Sequence, residues 1–347
     1  MPRRNLDAHF GDERPEWTER KHRLLGRIVV PSAEKMKRIR GCLALVDGYA
    51  GPNTYGGESQ GSTTILCAAA SRLADKGFPV RVFACEPVQE RFQQLVRNLE
   101  RHIQSRLLTA CNRPHAEALE LIFQEIADWP AFVFLDPHGP KDLQLEPDLL
   151  PWLNRPKTDV LGVFMANAAA RACGEASVPT ASGTSRSTAE AILGWRWREA
   201  TTETDACRIF LDEIRGHKRY VDLYPLRKKE TQHRAYAVSG GSDSEHGFHL
   251  LSDAVARDWG ALEDFDFSRK TRTLLSDLEK EDHQRADFER LVELVRPVVQ
   301  RQPELTGQKL AVALYRGLPR LDSVFGRYKE SDFTKAAREC RRSAQRG

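Results

Sequence analysis

The sequence lacks long hydrophobic runs. No apolar segment approaches the length of a membrane-spanning helix, and the first residues, Met1 to Asp7, contain no apolar stretch of the signal-peptide kind. These absences argue against a membrane protein. We therefore expect a globular protein located in the cytoplasm.

The cysteines lack any paired spacing. Seven are scattered singly through predicted strands and helices, and His246 and His249 have no third metal ligand at a suitable distance along the chain. This pattern favours reduced thiols in the core and predicts no metal site. The cysteines are Cys42, Cys67, Cys85, Cys111, Cys173, Cys207 and Cys340.

Three common loop signatures are also missing. The segment Gly56 to Ser62 contains no lysine and carries Glu58, whose charge would repel a phosphate, so a nucleoside triphosphatase is not expected. The loop from Gly51 to Gly61 is longer and more polar than the turn of a dinucleotide oxidoreductase. The lack of a nucleophile-elbow sequence argues against a serine or cysteine hydrolase.

What the sequence does contain is an alternation of strands and helices. With 347 residues, 40% of them apolar, the chain is long enough for one large α/β domain and an appendage. The alternation predicts a mostly parallel, doubly wound, Rossmann-like sheet whose last two strands form an antiparallel hairpin. The predicted strands are residues 42–47, 80–86, 106–110, 131–136, 160–166, 220–224 and 235–239.

The chain is predicted to divide into three parts. We expect a basic helical cover at residues 1–40, the α/β domain at 41–260 and a small helical domain at 261–347. The segment 174–187 is rich in Ser, Thr, Ala and Gly without apolar periodicity, which predicts a loop beside the fifth strand. The predicted C-terminal helices are residues 269–280, 286–300, 307–317 and 331–343.

Three acids stand at the ends of predicted strands. Asp47 ends the first strand and precedes a glycine-bearing turn, Glu86 ends the second, and Asp136 opens a rigid Asp-Pro turn after the fourth. Because parallel strands end at the same edge of a sheet, we expect these acids to converge around one crevice. Glu86 is placed to accept hydrogen bonds from ribose hydroxyls, and Asp136 to hold a substrate amine.

These motifs resemble, in order and spacing over about residues 20–255, the three-Cys-motif partner family of class I S-adenosylmethionine (AdoMet) methyltransferases. The family pattern is Asp-Gly-aromatic-Ala-Gly-Pro-Gly-x-Tyr, then Gly-Ser, an acid, and Asp-Pro-Phe-Gly; it corresponds here to residues 47–55, 61–62, 86 and 136–139. Asn53 replaces a loop glycine and His138 replaces the phenylalanine. Asparagine is the non-glycine residue that best tolerates a left-handed backbone, so the loop can keep its shape.

The resemblance implies a methyltransferase that binds AdoMet and works with a partner protein carrying the three-cysteine motif. The implied cofactor-binding residues are Asp47, Gly48, Ala50, Gly51, Tyr55, Gly61, Ser62 and Glu86, with the backbone amides of Gly61 and Ser62 free to face the ligand. The implied catalytic residues are Asp136, Pro137 and His138. Asn167 and Arg171 are supporting candidates because they follow the fifth predicted strand at the same end of the sheet; the alternative is that they cap the following helix and pair with a carboxylate.

The expected methyl acceptor is a nucleic acid or a nucleic-acid-associated protein. In the family the C-terminal region resembles a winged helix, and Lys335, Arg338 and Arg342 share one face of the last predicted helix, where they could contact RNA or DNA phosphates. The same pattern fits a solvated helix face. The alternative function is a catalytically inactive scaffold or defence-system subunit of the same fold that binds a partner protein or nucleic acid; Asn53 and His138 keep it open.

Overall fold

The computed structural model describes residues 16–55, 59–139, 144–178, 182–227, 234–269, 274–318 and 324–346. The first part of the predicted N-terminal cover, residues 56–58 of the long loop and the tip of the predicted hairpin lie outside the described residues. No helix among the described residues is long and apolar enough to cross a membrane.

A seven-stranded sheet forms the centre of the described structure. Its strands lie in the order β5-β4-β1-β6-β7-β9-β8, with β9 antiparallel to both β7 and β8 and the other pairs parallel. The strands are β1 (Leu43–Asp47), β4 (Val80–Cys85), β5 (Leu108–Cys111), β6 (Ala131–Leu135), β7 (Thr158–Phe164), β8 (Tyr220–Arg227) and β9 (Arg234–Ser242), and a separate small hairpin joins β2 (Thr54–Tyr55) to β3 (Ser59–Gln60).

An antiparallel strand inserted beside an otherwise parallel sheet is the arrangement of the class I methyltransferase fold. The fold prediction is therefore confirmed, including the terminal hairpin of β8 and β9. The central strands are largely apolar and buried on both faces, as in β1, where Leu43 to Val46 are apolar and all five residues, including Asp47, are buried.

Helices cover both faces of this sheet. One core layer lies under α1, α2 and the C-terminal helices, and the other under α5 to α9. The helices are α1 (Glu16–Arg40), α2 (Ser62–Ala74), α3 (Gln89–Asn98), α4 (Glu100–Gln104), α5 (His115–Ile126), α6 (Leu150–Asn154), α7 (Ala166–Ser177), α8 (Gly183–Leu193), α9 (Glu203–Arg215), α10 (Glu245–Arg269), α11 (Leu274–Arg301), α12 (Gly307–Gly317) and α13 (Glu330–Arg346).

Helix α1 runs across one face of the sheet, from the carboxyl ends of the strands to their amino ends. Lys21 contacts Asp136, just beyond the carboxyl end of β6, whereas Lys35 contacts Asp159 near the amino end of β7. Fourteen helical residues rise about 21 Å, which is the length of a strand of about six residues. The amino end of α1 therefore lies at the carboxyl edge of the sheet.

Two local predictions are wrong. The segment predicted as a loop at 174–187 contains the end of α7 and the start of α8. Periodicity missed α7 because its buried stripe consists of small side chains, Ala166, Ala169, Cys173 and Ala176. The break predicted between the helices 269–280 and 286–300 is not found, because Leu274–Arg301 is one helix, α11. The division of the chain predicted after residue 260 stays a prediction, and that position lies within α10.

Candidate active site

The three strand-end acids lie at the carboxyl edge of three adjacent strands. Asp47 pairs in register with Ala84 of β4 and with Phe134 of β6. Glu86 and Asp136 each follow two residues beyond these partners, and adjacent strands are about 4.8 Å apart. The charge of Asp136 is also felt at Asp47, where it helps to raise the pKa. The structure thus brings the three predicted acids together.

Asp47 is directed into the protein. Its Oδ1 accepts a hydrogen bond from the Tyr49 amide at 3.3 Å, and its Oδ2 accepts one from the Thr63 hydroxyl at 2.7 Å. Burial raises the pKa of Asp47 to about 6, opposed by the hydroxyls of Ser62 and Thr63 and by the Tyr49 amide. The Asp47 carboxyl group therefore links the turn after β1 to the start of α2 through these hydrogen bonds.

The turn after β1 is fixed by its own backbone. The Gly48 amide donates to the Phe134 carbonyl and the Ala50 amide to the Cys85 carbonyl, each at 3.0 Å, which ties the turn to both neighbouring strands. A Cβ on Gly48 would lie 2.6 Å from Leu135 Cδ2, so glycine is required there by packing. Buried Gly51 adopts a left-handed φ of 61°.

Asn53 keeps the left-handed conformation expected of it, with a φ of 63°. Its side chain accepts a hydrogen bond from the Thr64 amide at 3.1 Å and donates to the Thr64 hydroxyl at 2.6 Å, which caps the start of α2. Its carbonyl accepts the Gly61 amide at 3.0 Å. The expectation of a free Gly61 amide is therefore wrong, because the backbone carbonyl at position 53 accepts that amide.

Glu86 has one satisfied and one unsatisfied oxygen. Its Oε1 accepts a hydrogen bond from the Val88 amide at 2.8 Å. Its Oε2 is buried and makes no hydrogen bond to any of the described residues, while His138 Nε2 lies 3.9 Å away. A buried oxygen without a donor costs about 1–3 kcal/mol. This oxygen is positioned for a ligand that can donate to it.

Asp136 already holds an amine. Lys21 Nζ donates to Oδ1 at 2.7 Å and to Oδ2 at 2.5 Å. The lysine and aspartate side chains are only 11% and 15% exposed. In the sequence, Lys21 is one of several cations in the predicted basic cover at 1–40, and nothing local links it to a residue 115 positions further along the chain.

The other predicted site residues lie beside Asp136, around the loop after β1, or on α13. Buried Pro137 and half-buried His138 follow Asp136, and His138 lies beside Glu86, the predicted ribose acid. Tyr55 is in β2, and Ser62 is the buried first residue of α2. Three residues are exposed on α13, which packs on α11 and α12: Lys335, Arg338 and Arg342.

His115 is a buried residue at this site that sequence reasoning missed. Its Nε2 accepts a hydrogen bond from the Trp152 indole at 2.8 Å, and its ring lies beside Gly48. Burial lowers the pKa of His115 to about 4, so the imidazole is neutral at physiological pH. No spacing in the sequence indicates this contact. A neutral ring thus forms the floor beneath the turn.

The described residues offer no candidate metal site at this edge of the sheet. The described residues contain no group of three or more His, Cys, Asp or Glu side chains able to hold a metal ion. A surface cavity of about 620 Å³ lies instead beside β5, where its lining includes Arg81, Phe92 and Arg106. With Asp47 and Glu86 fully buried, the crevice of the three acids is closed in this conformation.

No protein-family model matches the chain, and no curated protein matches it. Similar solved structures include an rRNA methylase from Streptococcus thermophilus, which is 10% identical over 70% of this chain and 98% of that one, with a TM-score of 0.34. Another is an O-methyltransferase from Bacillus cereus in complex with S-adenosylhomocysteine (SAH). It is 14% identical over 70% of this chain and 92% of that one, with a TM-score of 0.34. At such scores the fold assignment rests on the strand order of this chain's own sheet.

Proposed function

We propose that this protein is an AdoMet-dependent methyltransferase that transfers a methyl group to an amine. The observation that carries the proposal is the buried, unsatisfied Oε2 of Glu86, at the same sheet edge as a second acid, Asp136, that binds an amine. A ribose hydroxyl is a donor that would satisfy Glu86.

The residues of this edge fit the parts of the cofactor. Glu86 would hold the ribose, and the turn at Gly51 and the start of α2 at Ser62 would hold the amino acid part. When bound, AdoMet supplies a methyl group on a sulfonium sulfur, which needs little further activation. Asp47 supports these contacts indirectly because both its oxygens fix the turn.

Asp136 supplies the acceptor chemistry in this proposal. Its carboxylate would accept hydrogen bonds from the acceptor nitrogen, orient its lone pair and take up a proton. The Asp-Pro turn is rigid because proline fixes its own φ. Alignment of nucleophile and methyl group can contribute about 7–11 kcal/mol at its upper limit, so no covalent catalysis by the protein is needed.

The finer assignment of acceptor and partner is also a proposal. A nucleic acid or a nucleic-acid-associated protein is supported by the exposed cations Lys335, Arg338 and Arg342 on α13. A partner carrying a three-cysteine motif is supported by the sequence motifs at 47–55 and 136–139. Tritium transfer from labelled AdoMet to RNA, DNA or total protein would separate these acceptor classes.

Calorimetric titration with SAH tests the proposal. Glu86→Gln removes the carboxylate acceptor without changing its size, so we expect affinity to fall on the order of tenfold or more. The matched control is Glu90→Gln, an exposed acid in the first turn of α3, which we expect to bind within about twofold of wild type. Absence of SAH binding by the wild-type protein would contradict the proposal.

A catalytically inactive scaffold is the second candidate. It is favoured by the internal hydrogen bonds that occupy the amides of Gly48, Tyr49 and Ala50, and by the lysine on Asp136. A scaffold predicts no heat of binding with AdoMet or SAH. The same titration therefore distinguishes the two functions.

A further inference from the structure

The amino end of α1 places an amine on the predicted acceptor acid. Lys21 Nζ contacts both oxygens of Asp136 in a largely buried environment. In the proposed function this carboxylate holds the acceptor nitrogen. The nitrogen of Lys21 therefore lies in the position assigned to the substrate amine.

The same helix carries a second lysine that allows a direct comparison. Lys35 Nζ lies 3.3 Å from Asp159 Oδ2, while Asp159 Oδ1 accepts the Ser242 hydroxyl at 2.6 Å. Asp159 stands near the amino end of β7, at the edge opposite to Glu86. Both lysines lie on α1, and each pairs with a carboxylate of the sheet. Only Lys21 lies at the edge that carries the three acids.

We infer that Lys21 is itself a methyl acceptor, so that the protein methylates the Nζ atom of its own Lys21. This inference rests on the proposed function, since AdoMet is the methyl donor. It deepens that function by assigning to the Asp136 subsite an alkyl amine of the lysine type as acceptor.

The transfer step balances with the residues present. A proton passes from Lys21 Nζ to the Asp136 carboxylate, which frees the lone pair on nitrogen. The nitrogen forms a bond to the methyl carbon as the carbon–sulfur bond breaks, and the electron pair of that bond remains on sulfur to give SAH. Asp136 then releases its proton to water. The methylated lysine is still a cation when protonated, so it can still pair with Asp136.

The test is peptide mass spectrometry of the full-length protein after incubation with AdoMet. We expect one or more methyl groups on Lys21 and none on Lys35, at a rate independent of protein concentration because donor site and acceptor belong to one chain. Asp136→Asn should reduce the methylation rate at least about tenfold. The matched control Glu90→Gln, at an exposed position in α3, should bind SAH within about twofold of wild type and methylate Lys21 at the wild-type rate, because Glu86 and Asp136 are unchanged.

The outcomes separate this inference from the proposed function. If SAH binds and Lys21 stays unmodified, self-methylation is wrong and the proposed function stands. If SAH does not bind at all, the proposed function fails and this inference fails with it. Methylation of Lys35 at the rate of Lys21 would also overturn the inference, since it would indicate non-selective chemistry.

A second readout needs no cofactor. The rate of lysine acetylation by a water-soluble N-hydroxysuccinimide ester is slower for an amine that is ion-paired with a carboxylate and buried. In Asp136→Asn we expect acetylation of Lys21 to accelerate on the order of tenfold relative to Lys35. Equal relative rates in the two proteins would mean that Asp136 does not hold Lys21, which would overturn the inference.

Discussion

Asp47 makes the stability of the folded protein depend on pH. Burial raises its pKa from 3.8 to about 6, so the folded state binds a proton more tightly than the unfolded state. The contribution of Asp47 to the free energy of unfolding should therefore fall by ~3 kcal/mol as the pH rises from about 4 to about 6, and stay constant above this range. The lowered pKa of His115 gives a contribution of opposite sign over nearly the same range, so the Asp47 part is measured as the difference between wild type and variant.

Replacing Asp47 by asparagine tests this contribution. Asn keeps an oxygen that can accept the Thr63 hydroxyl but cannot ionise, so Asp47→Asn should remove this part of the pH dependence. Urea denaturation at pH 4 and pH 7 measures it. The control is Asp75→Asn, at an exposed position after α2, which should leave the dependence as it is. An unchanged dependence in Asp47→Asn would contradict the account.

Gly48 is required by close packing beneath the turn. In Gly48→Ala the new Cβ would lie 2.6 Å from Leu135 Cδ2 and 3.1 Å from His115 Nδ1. We expect a loss of about 1–3 kcal/mol in unfolding free energy. Gly174→Ala, in α7 with open space around the new methyl group, should instead stabilise by about 0.5–1 kcal/mol. Equal effects of the two substitutions in denaturant titrations would refute this interpretation.

At the scale of elements, Asn53 joins the loop after β1 to α2. Asn53→Gly retains the left-handed backbone and loses the two side-chain bonds to Thr64, so we expect a cost of about 1 kcal/mol. Asn53→Ala loses the same bonds and adds backbone strain, for a total of about 2–3 kcal/mol. Thermal unfolding of both variants checks the order, and a more stable alanine variant would contradict it.

The elements that sequence reasoning found are those whose signals are local. The strands that lead to Asp47, Glu86 and Asp136 were predictable because parallel strands buried on both faces have apolar sequences. The helix α7 was not, because its buried stripe is made of alanine and cysteine. The pairing of Lys21 with Asp136 depends on how α1 crosses the sheet, which no local pattern specifies.

At the scale of the whole molecule, the C-terminal helices and the sheet share one core layer. Residues of α1, such as Leu25, and of the C-terminal helices, such as Leu291 and Phe333, belong to the same buried cluster as Leu45 of β1. The described C-terminal helices therefore share this core layer with the sheet, while the separate domain at 261–347 stays a prediction.

A shared core predicts cooperative unfolding. We expect a single calorimetric transition in which the measured enthalpy equals the van't Hoff enthalpy. Two resolved transitions, one of them assigned to residues 261–347 by limited proteolysis, would show instead that the C-terminal helices fold independently.

The central claim is that the edge formed by Asp47, Glu86 and Asp136 binds AdoMet, and a crystal structure of the protein with SAH tests it most directly. The account predicts ribose hydroxyls within hydrogen-bond distance of Glu86 Oε2 and the sulfur facing Asp136. Ligand bound elsewhere, or a crevice that stays closed at saturating SAH with Glu86 Oε2 still unsatisfied, would contradict it.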